Sequence, residues 1–110
     1  MKVDQKGHTT TIKDTQGNIL NFLEKVTHEH ASYKNQNLIL DVTHDKNVAL
    51  KDIKAFSDLS KTHRKGKKSL VIVAENIDFN EVPAKLIVVP SLQEAHDIIE
   101  MEEIERDLGF

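Results

Sequence analysis

Cysteine is absent from the 110 residues. That excludes disulfide staples, thiolate nucleophiles and cysteine-ligated zinc, and it suits a reducing compartment. Tryptophan is absent too and tyrosine occurs once, which leaves little for a base-stacking platform. No apolar run approaches the roughly 18 residues of a membrane helix. The opening MKVDQKGHTTTIKD lacks the apolar core of a secretory signal. The expected setting is therefore the cytoplasm, away from the membrane. No G-x-S-x-G, P-loop or dinucleotide-type glycine pattern occurs, and there is no internal repeat or linker. With 38% hydrophobic and 30% charged residues, the chain suits one soluble domain over 1–110 with one modest core.

The apolar pattern alternates between strand and helix periods. Residues 1–14 read as one or two edge strands with a turn near Lys6–Gly7. Gly17 breaks the chain, Asn18 is placed to cap a helix, and apolar positions 19, 22/23 and 26 follow, extended by His30 and Tyr33. Leu38–Val42 predicts a central strand, and 50–65 a second helix with Ile53, Phe56, Ser60 and His63 on one face. Gly66 ends that helix among lysines, which suit its C-terminal dipole. Leu70–Ala74 and Leu86–Val89 predict two more strands, separated by a loop containing Pro83. Ser91 opens a final helix over 91–108 with Glu94 in an S-x-x-E box. Its expected inner stripe is Leu92, Ala95 and Ile98/Ile99, with Met101 extending it. Strands alternating with helices predict an α/β domain with a largely parallel core.

Charge is strongly segregated under a net value of −3. Residues 46–68 carry eight Lys/Arg against two acids, whereas 91–110 carry seven acids against one arginine. Two solvated helix faces would explain this, as would a surface that orients a protein partner. The basic run KTHRKGKK at 61–68 lacks interleaved aromatics in an acidic chain, which argues against nucleic acid. Towards the acidic tail EMEEIERDLGF, Ile98, Met101, Ile104/Glu105 and Leu108 either continue a packed stripe, or the outer part, with Leu108 and Phe110, docks on a partner or a second copy.

Asp41, His44 and Asp45 fall at the carboxyl end of the 38–42 strand, where α/β folds place ligands. They could be hard-metal or phosphate-transfer ligands, in the order strand, Asp, loop that receiver domains use to hold magnesium. Receivers, however, need an acid pair after an earlier strand and a lysine after a later one. The simpler expectation is that Asp41 closes the strand on local amides, with His44 and Asp45 as solvated turn residues. His28 and His30 stand at i and i+2, so a helix would not present them together. His63, beside Arg64 at the end of the basic helix, is expected to be partly buried, or charged and favoured by the helix dipole. His96 and Asp97 are adjacent on a helix and would point apart. No cofactor, metal or catalytic set is expected.

The ordered features L-D-V, H-R-x-G-K, SLVIVA and VVPSLQEAHDIIE resemble the STAS domain, which includes bacterial anti-sigma factor antagonists. The resemblance covers most of 37–110, and the IIEMEEIERDL tail is similar to STAS proteins of the Bacteroidetes lineage. It implies a mixed, mostly parallel sheet of four or five strands with about three main helices mainly on one face. It also implies a non-enzymatic interaction module in a partner-switching pathway. Family members bind a kinase-like anti-sigma factor and are released by phosphorylation of a serine in D-S-[ST]-G-L, at the start of the helix after L-D-L. Laid on this chain, that motif falls on Ala49, Leu50, Lys51, Asp52 and Ile53, so no serine stands at the switch. Ser57 and Ser60 lie further along and are poor substitutes.

The expected partner surface is His44, Asp45, Asn47, Leu50, Lys51 and Lys54. The expected partner is a protein: another STAS protein, a kinase-like anti-sigma factor or a second copy in a homodimer. The alternative is a small-molecule or nucleotide binder using the same loop. A ribonuclease Z activity would need an H-x-H-x-D-H motif and a metallo-β-lactamase fold, and the chain has neither the motif nor the length.

Overall fold

A computed structural model describes residues 1–109; Phe110, half of the tail feature above, lies outside the described residues. Strands β1 (Lys2–Lys6) and β2 (Thr9–Lys13) form an antiparallel hairpin. Gly7 takes φ +60°, as the first residue of a type II′ turn requires. Three parallel additions follow: β3 (Asn37–Asp41) on β2, β4 (Leu70–Val73) on β3, and β5 (Val88–Val89) on β4. Sheet order equals chain order. Each parallel step needs a crossover, supplied by helix α1 (Ile19–His28) and then by α2 (Leu50–Lys54) with α3 (Ser57–Lys65).

The expected α/β class with a mostly parallel sheet of four or five strands is what the structure has, with five strands, while the helices, expected mainly on one face, cover both. Leu38, Leu40, Leu70 and Ile72 point to one face, where Ile19, Phe22, Val26, Ile53, Phe56 and Leu59 of the crossover helices cover them. Ile39, Val71 and Val73 point to the other, under Ala95 and Ile99 of helix α4 (Leu92–Asp107). Cover on both sides explains why β3 and β4 are apolar without alternation. No helix among the described residues is long and apolar enough to cross a membrane.

Several local expectations change. The single helix over 50–65 is two. Phe56 N–H bonds the Ile53 carbonyl at 3.0 Å, and the Ser57 hydroxyl takes the Lys54 carbonyl at 2.7 Å. A serine that captures a nearby carbonyl competes with the helical ladder. Ser57 therefore begins α3 rather than sitting inside a helix, while Ser60 is buried. The stripe through His30 and Tyr33 leaves the helix: α1 stops at His28 and His30–Ser32 is a 3-10 turn. The last strand shrinks to Val88–Val89, because Leu86 N–H turns back to the Pro83 carbonyl.

Helix α4 departs most from its sequence pattern. Leu92 and Met101 lie on its exposed side, at 42% and 50% exposure. Ile104 and Leu108 are exposed as well, at 53% and 65%, whereas Glu102, Glu103 and Arg106 turn towards the sheet. The reason lies beneath them. Asn37 and Ser69, both fully buried at the starts of β3 and β4, present polar atoms that an apolar stripe could not satisfy.

Candidate functional site

The strand-loop-helix unit from Asp41 to Lys54 is built from short side-chain locks. Asp41 is buried, and its Oδ1 accepts from Thr43 N–H at 3.0 Å and from the Thr43 hydroxyl at 2.7 Å. It ends the strand as expected. Asp45 is not the free turn residue expected. Its Oδ1 accepts from Asn47 N–H at 2.9 Å, while Oδ2 accepts from Ile19 N–H at 3.3 Å, across 26 positions of chain. Asn18 Oδ1 meanwhile accepts from Asn21 N–H at 3.1 Å. The start of α1 thus has two of its free amides covered, one by its own cap and one by the loop after β3. His44 is exposed and passes over Gly17, whose φ of +72° a side chain would strain; a Cβ there would also lie 3.6 Å from His44 Cδ2.

Replacing Asp45 with alanine should cost about 1 kcal/mol, the usual worth of a helix cap. Urea unfolding would show it as a lowered midpoint at constant slope. A change indistinguishable from zero would mean that the long bond to Ile19 carries nothing.

At the start of α2, Ala49 is extended and has no side-chain oxygen to cap with. Asp52 compensates: its Oδ2 accepts from Ala49 N–H at 3.1 Å. The first turn is thereby self-capped by an internal carboxylate, which also suits the helix dipole. Ala49, Leu50, Lys51 and Asp52 are thus the cap and first turn of a five-residue helix. Leu50 is half-buried and Lys51 exposed.

A consistent electrostatic picture results. Both acids of the segment, Asp45 and Asp52, spend carboxylate oxygens on backbone amides. Lys46, Asn47, Lys51 and Lys54 stand in solvent, and among the described residues no lysine of this segment has an ion-pair partner. The outer surface of residues 44–54 is a cationic ridge.

Asp14, which sequence reasoning passed over, lies at the same end of the sheet. Its N–H bonds the Asp41 carbonyl at 3.0 Å, and its buried Oδ2 has no protein partner. Among the described residues, no group of three or more His, Asp or Glu side chains is placed to hold a metal ion.

His63 is 1% exposed and lies between two partners. Its Nε2 is 2.8 Å from the Gln36 carbonyl oxygen and its Nδ1 is 2.8 Å from His30 Nε2. A carbonyl only accepts, so His63 carries its proton on Nε2, and His30 Nε2–H donates to the free Nδ1. The rings meet edge to face, 5.1 Å apart at 75°. Burial pushes the His63 pKa down to about 4. The Gln36 carbonyl favours the cation but loses to desolvation, with His30, Arg64 and Lys68 adding repulsion. His63 is therefore buried, as one of its two readings had it, and is a neutral imidazole rather than a dipole-stabilised imidazolium, tying the turn after α1 to α3. His28 ends α1 and is exposed; no hydrogen bond joins it to this pair among the described residues. His96 is exposed, and Asp97 accepts from Gln93 Nε2 at 3.3 Å.

No family model matches the chain, and no curated protein matches it.

Proposed function

We propose that the chain is a STAS-like, non-enzymatic interaction module that docks a protein partner on the ridge around His44, Asn47, Lys51 and Lys54. The observation that carries this reading is the sorting of charge in residues 44–54. The acids are consumed internally and the lysines are presented, which suits an acidic partner surface. The self-capped turn at Ala49–Asp52 has no hydroxyl to phosphorylate, so docking here is not switched at that position. A partner-switching role places the protein in the cytoplasm opposite another STAS-like protein or a kinase-like anti-sigma factor.

Affinity capture with the wild-type chain and with a Lys46→Glu/Lys51→Glu/Lys54→Glu variant tests this. The wild type should retain a stoichiometric partner that salt elutes, and the variant should lose it. Equal recovery by both, or no partner at all, overturns the reading. A nucleotide that raises the melting temperature of the wild type alone would favour small-molecule binding instead.

A further inference from the structure

The remaining charge segregation sits at the open β5 edge of the sheet. An open cleft of about 670 Å³ runs there between α3 and the β4–β5 connection. Lys61, Arg64 and Lys65 line it from α3, Lys85 from the connection, and Ala84 and Ile87 supply its apolar part; Asp58 is its one acid. The Arg64 guanidinium is already committed, to Glu102 at 3.5 Å and to the Leu70 carbonyl at 3.2 Å. The three lysines have no acidic partner among the described residues.

Helix α4 borders the same edge from the opposite face. Glu94, Ile98, Met101 and Glu105 form one row at spacings of four, three and four. Ile98 packs against the same buried cluster as Ile87 and Val89. The other flank of α4, with His96, Glu100 and Glu103, lies beside Lys6 and Thr9 at the β1–β2 side, so this row lies towards β5. Glu94 and Glu105 are exposed, with half-exposed Met101 between them. Within one molecule the sheet separates this row from the cleft lysines. Arg64 with Glu102 is the one ion pair joining α3 and α4 among the described residues.

We propose that two copies of the chain form a dimer in which the Glu94–Ile98–Met101–Glu105 row of each seats in the Lys61–Lys65–Lys85 cleft of the other. Charge complementarity selects this arrangement. Pairing α4 with α4 sets acids against acids, and pairing α3 with α3 sets lysines against lysines. The cleft and the row flank one edge from opposite faces. A two-fold axis along that edge exchanges the faces and makes both contacts at once, which closes the assembly as a dimer and not a filament. Ile87 and Ile98 of both copies meet near the axis, giving the contact an apolar centre.

A charge swap tests the proposal. Variant one is Lys61→Glu/Lys65→Glu/Lys85→Glu, and variant two is Glu94→Lys/Glu105→Lys. All five positions are surface residues, and circular dichroism checks that each variant is folded. By analytical ultracentrifugation the wild type should be a dimer at about 20 mM salt and dissociate towards about 500 mM, where screening is strong. Each variant alone should associate at least about tenfold more weakly, since several surface pairs become repulsive. An equimolar mixture of the two should recover the dimer. A wild type that stays monomeric at low salt overturns the proposal. So does a dimer that survives both reversals, or a mixture that fails to re-associate.

Discussion

Stability will fall steeply as the pH drops below about 6.5, and His63 will account for most of the slope down to pH about 4. In the unfolded chain its imidazole takes up a proton near 6.5, whereas the buried ring resists until about 4. Between those values the unfolded state binds more protons, so acidification favours unfolding; above about 6.5 the contribution of the neutral ring is complete. At about 1.4 kcal/mol per pH unit, that window is worth on the order of 3 kcal/mol. Protonation also turns His63 Nδ1 into a donor, so the contact is kept only if His30 changes tautomer and accepts at Nε2. Urea midpoints measured across this range for the wild type and for His63→Gln provide the check. The variant should be weaker at neutral pH yet show a much flatter dependence. Parallel pH profiles would assign the slope to other groups.

Asn37→Ala should cost about 3 kcal/mol, one of the largest single losses outside the apolar core. Asn37 Oδ1 accepts from Ser69 N–H at 2.9 Å and from Arg106 Nη2 at 3.3 Å, while Nδ2 donates to Glu103 at 3.2 Å. Ser69 Oγ in turn donates to Glu102 at 2.6 Å and accepts from Arg106 Nη1 at 3.1 Å. Truncation leaves a buried amide and an arginine short of partners at the point where α4 is fastened to the sheet. Hydrogen exchange should then quicken at Ser69 N–H and along the second half of α4, with β3 and β4 amides affected less. Asn37→Asp keeps both acceptor bonds but faces Glu103 with like charge, so it should fall between wild type and alanine. A loss under about 0.5 kcal/mol for Asn37→Ala would show that the network is incidental.

Much of the fold was legible from local chemistry. The runs around Leu38–Leu40 and Leu70–Val73 are too apolar to be anything but buried strands, and both are. Asn18 and Ser91 signal helix starts because their side chains reach amides three residues on, at 3.1 Å and 3.2 Å. The segregation of lysines from acids is likewise plain in the residue order. These features share a cause: alternation, caps and turns are settled by groups a few positions apart.

Position in the fold decided the rest. Nothing in HEH or in THR reveals that His30 meets His63 across 33 positions, or that the Gln36 carbonyl sets its tautomer. Asp45 reads as a loop residue until the return of β3 brings it to the first amide of α1. The α4 pattern predicts Leu92 and Met101 inside, yet buried Asn37 and Ser69 draw Glu102, Glu103 and Arg106 inward and leave Met101, Ile104 and Leu108 outside. A side chain's burial depends on which groups the topology sets opposite it, and partners 30 to 70 positions apart leave no trace in a local period. The loop after β3 shows the same division. Its acids and lysines can be read along the chain, but only packing against α1 turns the acids inward and makes the outer surface basic.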